Sequence, residues 1–138
     1  EGSFMEVMDD VSANAKQVKR IAFCSGKIYY DLIEAKEKAG TDDIAVVRIE
    51  QLYPFPLNQL REIVSKYKNA KEYYWVQEEP SNMGAWSFMI RMFNDVQLKY
   101  IGREESASTA TGFMKTHIEE LAAIINKVMG KESVVKSS

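Results

Sequence analysis

The sequence predicts an α/β domain in which a mostly parallel sheet is covered by helices on both faces. Short apolar runs alternate along the chain with segments of helical periodicity, which is the pattern of repeated strand and helix units. Three of the apolar runs end abruptly in polar or proline-containing segments, as buried strands do where they pass into loops. Because parallel strands end at the same edge of a sheet, these segments should form one edge that meets ligands or partner domains.

The first half of the chain contains two strand and helix pairs. We predict a strand at 20–24, a helix at 27–39 that Gly40 ends, a strand at 44–49 and a helix at 56–68. Pro56 suits the first turn of the second helix, where a backbone N–H would have no helical partner. Apolar residues recur in that helix at one-sided spacing, which predicts a face packed on the sheet: Leu57, Leu60, Val64 and Tyr67.

The second half repeats the alternation. We predict a strand at 72–76, a helix that begins at Ala85, a short strand at 99–101 and a last helix that Gly130 ends. The segment 116–119 has the pattern of a capping box and should begin the last helix. The helix that begins at Ala85 should have one apolar side, formed by Trp86, Met89, Ile90 and Phe93.

Composition indicates one soluble globular domain. The 138 residues are 46% hydrophobic and 28% charged, enough to bury roughly 70% of the surface of the unfolded chain. The formal net charge is -2 and the 18 basic residues are dispersed, which argues against nucleic-acid or membrane-surface partners. The single cysteine, Cys24, excludes an internal disulfide and favours a reducing compartment. No apolar stretch approaches the ~20 residues of a membrane span.

The chain divides into three parts by composition. Residues 1–17 mix small and polar residues without periodicity, so we expect a linker segment from a preceding domain. The compact α/β domain should occupy 18–130, and 131–138 should be a disordered tail. Because the chain opens with Glu1 rather than a methionine, we expect it to be a piece of a larger protein.

Two adjacent carboxylates, Glu78 and Glu79, follow the third predicted strand. A close pair of carboxylates can supply an acid and a base, because their repulsion raises the pKa of one of them. Neighbouring residues on a strand point to opposite sides, however, so a polar contact with another chain or domain is the favoured interpretation. Asn82 and Gly84 should shape the following turn, and Trp86 should anchor it.

Other motifs give weaker indications of a site. The turn 25–27 opens a helix as a phosphate-binding loop would, but Ile21 stands where such a loop needs glycine, so a tight turn is favoured. The proline-stiffened loop 52–56 exposes aromatic groups, which suits an interface or a loop folded over its own core. His117 is the only histidine, so neither a metal site nor a self-contained nucleophilic site can be assembled.

Four motifs in register resemble the C-terminal domain of the E1 component of 2-oxoglutarate dehydrogenase. They are residues 24–32, 47–56, 77–80 with 84–86, and 102–103 with 110–112. The resemblance extends from about Phe4 to Met129. It implies the transketolase-type C-terminal domain, a three-layer αβα fold whose mostly parallel sheet has one antiparallel strand. The short strand near Lys99 is the candidate for that antiparallel strand.

The resemblance also implies a function for the whole enzyme. The E1 family forms homodimers that use thiamine diphosphate and Mg²⁺ to decarboxylate 2-oxoglutarate oxidatively and pass the succinyl group to the lipoyl arm of E2. Related 2-oxoadipate enzymes share this domain. Because the preceding domains hold cofactor and substrate in this family, we expect this fragment alone to bind no cofactor or metal and to be inactive. The implied location is the bacterial cytoplasm or the mitochondrial matrix.

The expected role of this domain is to support the dimer and the neighbouring E1 domains. The candidate interface and loop residues are Gln51, Tyr53, Glu78, Glu79, Asn82, Trp86 and Arg103. In an actinobacterial branch the domain also helps to bind acetyl-CoA, and Gln51 matches a position of that effector site. The arginines that follow in that branch are replaced here by Asn58 and Gln59, which lack the guanidinium groups that hold phosphates bidentately.

Position 83 also departs from the family, which usually has glutamine where this chain has Met83. The alternative interpretation of the fold is a stand-alone flavodoxin-like or receiver-like binding module. A phospho-receiver needs acidic residues at the end of its first strand. This chain has Cys24 and Ser25 there, so the E1 interpretation is favoured.

Overall fold

The computed structural model describes residues 6–103 and 113–130, with backbone only for 113–116. One five-stranded sheet and four helices are formed by these residues. In chain order the elements are β1 (Val7–Met8), β2 (Arg20–Cys24), α1 (Ile28–Ala39), β3 (Ile44–Ile49), α2 (Leu57–Lys66), β4 (Glu72–Pro80), α3 (Trp86–Met92), β5 (Leu98–Arg103) and α4 (Phe113–Val128). Of the helices in this described part, none combines the length and apolar character that crossing a membrane requires.

The strand order across the sheet is β1-β3-β2-β4-β5. β2 runs parallel to both β3 and β4, and β4 runs parallel to β5, which confirms the predicted α/β architecture. The prediction of an antiparallel strand near Lys99 is wrong. The connection through α3 returns the chain to the starting end of the sheet, as a parallel crossover does, and β5 is therefore parallel. The antiparallel strand is β1, which pairs with the end of β3.

The sheet lies between two helical layers, each with its own core. Ile21 and Phe23 of β2 point to the face covered by α2 and α3, whereas Ala22 and Cys24 point to the face covered by α1 and α4. Because side chains alternate along a strand, this central strand must be apolar on both sides. Burial raises the pKa of the Cys24 thiol to about 12, so this cysteine is a protonated packing residue.

The N-terminal segment that was predicted to be a linker packs on the domain from Glu6 onward. Val7 of β1 is buried opposite Ile49. Beyond β1, the Asp10 carboxylate accepts a hydrogen bond from the Val46 N–H at 2.9 Å, so a side chain replaces the next rung of the antiparallel ladder. The described unit therefore includes this segment, and its origin in a preceding domain stays a prediction.

The structure differs from the prediction in several details of the elements. β4 continues to Pro80 with a register shift after Val76, because its pairing with β5 resumes at Arg103. α4 begins at Phe113, so residue 116 lies within the helix and the predicted capping box does not begin it. Ile90 is 42% exposed and lies off the buried side of α3. The predicted tail 131–138 and the motif residues 110–112 lie outside the described residues.

Candidate functional site: the carboxyl edge of the sheet

The centre of the carboxyl edge is a topological switch point. The chain leaves β2 toward β3 and leaves the adjacent β4 toward β5, in opposite directions across the sheet. The loops after such a pair of strands diverge, and the crevice between them is where open α/β sheets bind ligands. A cleft of about 390 Å³ lies at this place, and its lining includes Lys27, Glu78, Glu79, Arg103 and His117.

Gln77 organises the loop that forms one wall of this cleft. Its side chain is buried, and Oε1 accepts a hydrogen bond from Nε1 of Trp75 at 2.8 Å. Its Nε2 donates to the backbone oxygens of Glu79, Pro80 and Met83 at 3.2, 2.9 and 2.8 Å. One amide therefore joins the buried strand to three carbonyls of the turn. A loop held in this way is fixed before any partner arrives.

Two glycines allow the backbone to approach Gln77. Gly84 has a φ of +71°, and a Cβ there would lie 2.7 Å from Oε1 of Gln77. A Cβ on Gly102 would lie 2.6 Å from the Gln77 backbone oxygen and 2.5 Å from the Tyr100 hydroxyl. Such separations are far inside ordinary van der Waals contact. The glycines of the family motifs at 84 and 102 are thus explained by close packing around one glutamine.

Glu78 and Glu79 stand at the outer side of this arrangement. Both line the cleft, Glu78 partly exposed and Glu79 exposed. Neither takes part in any of the ion pairs formed among the described residues. The Tyr100 hydroxyl lies 2.7 Å from the backbone oxygen of Glu79 and also contacts that of Arg103, so β5 holds the backbone and leaves the carboxylates toward solvent.

The remaining candidate residues near the ends of β4 and β5 lie in different environments. Asn82 is exposed at the tip of the turn, which the Met83 N–H closes on the Pro80 oxygen at 3.0 Å. Trp86 is partly buried, with its ring 5.5 Å from that of Tyr100. Arg103 Nε lies 3.0 Å from a Glu120 oxygen, an ion pair that joins β5 to α4 across the end of the cleft.

The loop between β3 and α2 both packs on its own core and exposes an aromatic ring, which are the two interpretations that its sequence allows. Leu52 and Phe55 pack against the core under α2 and α3, as a loop folded over its own domain does. Tyr53 remains 70% exposed, with its ring 4.9 Å from that of Phe88. The Gln51 amide donates to the Tyr53 backbone oxygen, so the side chain at the expected effector position is engaged within its own loop.

An arginine that no sequence motif indicated lies at the same edge. The Arg48 guanidinium is 5.3 Å from the Tyr29 ring and 5.2 Å from the Tyr30 ring, and it donates to the Tyr30 hydroxyl at 3.0 Å. Its Nε lies 2.8 Å from a Glu50 oxygen. The hydrogen bond with Tyr30 raises the pKa of Arg48 above its already high value. The sequence signal for this cluster was a pair of adjacent tyrosines at the start of one predicted helix, together with an arginine near the end of a predicted strand.

A second groove, of about 500 Å³, lies at the opposite edge of the sheet. Arg20 from its lining donates to the Val128 backbone oxygen at 2.9 Å and lies 3.4 Å from an Asp43 carboxylate oxygen. A cation at the last carbonyls of α4 satisfies a helix end. This groove therefore has a structural explanation, and the switch-point cleft is the candidate site.

Comparison with known proteins identifies the family. The family model described as 2-oxoglutarate dehydrogenase C-terminal matches residues 1–129. Proteins named 2-oxoglutarate dehydrogenase E1 component are similar: that of Azotobacter vinelandii is 45% identical over 128 residues, 86% of this chain and 14% of the relative. That of Rickettsia felis is 37% identical over 137 residues, 93% of this chain and 14% of the relative.

A third relative and a solved structure agree with this identification. The E1 component of Brucella anthropi is 44% identical over 123 residues, 83% of this chain and 12% of the relative. A split-gene transketolase chain, described as an inactive β4 tetramer, has a TM-score of 0.55 at 14% identity and is matched over 86% of this chain and 40% of its own. That likeness shows a shared fold. The chain spans about one seventh of its curated relatives, and it belongs to the 2-oxoglutarate dehydrogenase C-terminal family.

Proposed function

We propose that this chain is the domain of a thiamine-diphosphate-dependent 2-oxoglutarate dehydrogenase E1 that supports assembly and carries no reacting group of its own. The observation that carries the proposal is the similarity, at 37–45% identity over most of the chain, to proteins named as that E1 component. The reaction of the whole enzyme is the oxidative decarboxylation of 2-oxoglutarate with transfer of the succinyl group to lipoyl-E2. The related reaction of 2-oxoadipate is the close alternative.

The cofactor would be held elsewhere in the enzyme. Mg²⁺ prefers several oxygen ligands in one octahedral arrangement. Within residues 6–103 and 113–130, no three side chains of His, Cys, Asp or Glu are grouped as such a site requires. These residues therefore do not fit the Mg²⁺ that accompanies thiamine diphosphate, and we assign no step of the reaction to them.

The geometry of the carboxyl edge supports a role in assembly. The Gln77 amide fixes the turn through three carbonyls, so a partner that docks there loses little loop entropy. Glu78 and Glu79 lie outside that network with solvent access, where they can make polar contacts. Asn82 is exposed in the same turn, Trp86 is partly exposed at the start of α3, and Arg103 lines the same cleft.

The partners follow from the same proposal. They are the preceding E1 domains, a second E1 subunit in a homodimer, and the lipoyl-bearing E2 of the complete complex. The proposed location is the bacterial cytoplasm or, in a eukaryote, the mitochondrial matrix. An effector role for Gln51 stays a prediction. Calorimetry of the whole enzyme with acetyl-CoA tests it: the prediction requires a heat of binding in the wild type that Gln51→Ala abolishes.

The experiment compares two preparations. Residues 1–138 alone should neither bind thiamine diphosphate nor decarboxylate 2-oxoglutarate. The full-length E1 polypeptide that carries this chain should do both, with a ferricyanide assay for turnover and calorimetry for cofactor binding. Turnover by the isolated chain, or a full-length protein that accepts neither 2-oxoglutarate nor 2-oxoadipate, would overturn the proposal.

A further inference from the structure

Three aromatic rings, of which Tyr53 is exposed and Phe55 and Phe88 are partly buried, contact one another next to the carboxyl edge. The Phe88 ring of α3 lies 4.9 Å from that of Tyr53 and 5.8 Å from that of Phe55. Arg91 lies over the same ring, with Cζ 5.6 Å from its centroid. Met92 follows Phe88 by four residues, so it lies on the same side of α3. We name Tyr53, Phe55, Phe88, Arg91 and Met92 the aromatic ledge.

The aromatic ledge combines exposure with a fixed base. Tyr53 is 70% exposed and Met92 is 40% exposed. Phe55, in contrast, packs against the core beneath α2 and α3 and holds the loop in place. Aromatic residues, methionine and arginine are the types enriched at the centres of protein interfaces. A solvent-exposed ring held by contact with a neighbouring ring can bury a large apolar area on docking at little entropic cost.

The path of the polypeptide indicates the occupant. The family model is described as C-terminal, and the relatives are about seven times longer than the matched region, so most of their chain precedes it. The described chain begins at Glu6, whose backbone oxygen accepts from the Glu50 N–H at 2.7 Å. The Glu6 carboxylate accepts from Gln59 of α2 at 2.9 Å. The first described residue is thus hydrogen-bonded to Glu50, which precedes Tyr53 of the aromatic ledge by three positions in the chain.

We propose that the aromatic ledge docks the region of E1 that precedes Glu6 within the same subunit. The inference rests on the proposed function, because it needs the longer E1 polypeptide, and it specifies which surface that polypeptide covers. Because the preceding region belongs to the same polypeptide, it stays at high effective concentration near the ledge, which favours an intramolecular contact over one between subunits.

The test places a photoreactive residue on the ledge. Tyr53 is replaced by p-benzoylphenylalanine in the full-length E1 polypeptide, and the matched control carries the same residue at Tyr30. Tyr30 is 60% exposed and belongs to α1, on the other face of the sheet. After irradiation, position 53 should give products that migrate at monomer mass. Mass spectrometry should identify cross-links from position 53 to residues that precede Glu6, and position 30 should lack them.

Three outcomes overturn the inference. A product of twice the monomer mass from position 53 would place a second subunit on the ledge. Cross-linking to the preceding region no greater than that from position 30 would show that the ledge is not the docking surface. Absence of cross-links to that region would show that the ledge is uncovered. An unsubstituted full-length protein without decarboxylase activity would count against the proposed function and leave the cross-linking result to decide the docking.

Discussion

The carboxylate of Asp10 and the adjacent carboxylates of Glu78 and Glu79 occupy opposite environments. Asp10, in the segment predicted to be a linker, has a side chain only 1% exposed, and it lies 2.8 Å from Nζ of Lys36, itself 5% exposed. It also accepts from the Ser12 N–H and hydroxyl and from the Val46 N–H. Glu78 and Glu79 are adjacent in sequence at the candidate site, yet they take no part in the ion pairs of the described residues.

The difference shows that depth and available donors decide what a carboxylate does. The two glutamates are adjacent in sequence, which suggested an acid and a base. The buried, fully hydrogen-bonded carboxylate is instead that of a single aspartate, Asp10, which no sequence motif indicated. At Asp10 a buried charge must be fully satisfied, so its neighbours are fixed by it. At Glu78 and Glu79 the ordered element is the Gln77 amide beneath them.

Removal of Asp10 should produce the largest effect. In Asp10→Ala the Lys36 ammonium remains buried without its partner, so the free energy of unfolding should fall by about 3–5 kcal/mol. Urea unfolding measures this loss. The matched control, Asp42→Ala at an exposed position, should change stability by less than about 0.5 kcal/mol. Equal losses in the two variants would show that the Asp10 contact does not anchor the N-terminal segment.

The pH dependence of stability tests the role of the buried Asp10 carboxylate further. Burial opposes ionisation of Asp10, but the hydrogen bonds from Lys36, Ser12 and Val46 outweigh it and lower the pKa. Because the folded-state pKa lies below the unfolded value of about 3.9, this stabilisation is complete above that pH and is lost as pH falls through the folded pKa. The stability difference between wild type and Asp10→Asn should therefore shrink below about pH 4. A difference that stays constant down to pH 2 would contradict this account.

Gln77→Glu should rank next. The substitution keeps the length of the side chain but removes the N–H donors to three carbonyls, so about 2–3 kcal/mol of stability should be lost. Thermal unfolding and amide exchange in the turn measure the effect. The control is Gln97→Glu, an exposed position with the same chemical change. If both variants unfolded alike, the Gln77 network would not hold the loop.

A pair of glycines tests the packing around Gln77. Gly84→Ala and Gly40→Ala both place a side chain at positive φ, but only at position 84 would the new Cβ meet another group, 2.7 Å away. The left-handed conformation costs each variant roughly 1 kcal/mol. Gly84→Ala should lose an additional 1–2 kcal/mol or so from the steric conflict. Chemical denaturation compares them, and a Gly40 variant that proved the less stable would contradict the close approach.

Much of this architecture is predictable from local pattern. The strands at 20–24 and 44–49 are found with the predicted bounds, because both are continuous apolar runs that must be buried on two faces. The antiparallel strand was misplaced because β1 has only two residues, and its position depends on the Asp10 carboxylate reaching Val46 across the chain. Residues 36 sequence positions apart leave no periodic signal.

The position of the candidate cleft was predictable from the sequence, but its internal hydrogen bonding was not. Apolar runs that end in polar segments indicated the carboxyl edge, and the structure places the switch-point cleft there. The part of Gln77 was missed because a glutamine at the end of a strand resembles any polar loop residue. Only the fold places its amide within reach of Trp75 on one side and of three carbonyls on the other.

The central claim, that this edge supports assembly and does not perform chemistry, is tested by Glu78→Gln with Glu79→Gln in the full-length E1 polypeptide. Steady-state turnover of 2-oxoglutarate is measured beside dimer mass by light scattering. The account predicts kcat within about twofold of wild type, because neither carboxylate would lie within hydrogen-bond reach of the reacting substrate, as a general acid or base must. A loss of roughly a hundredfold or more, the cost of removing a general acid or base, in a correctly assembled dimer would contradict it.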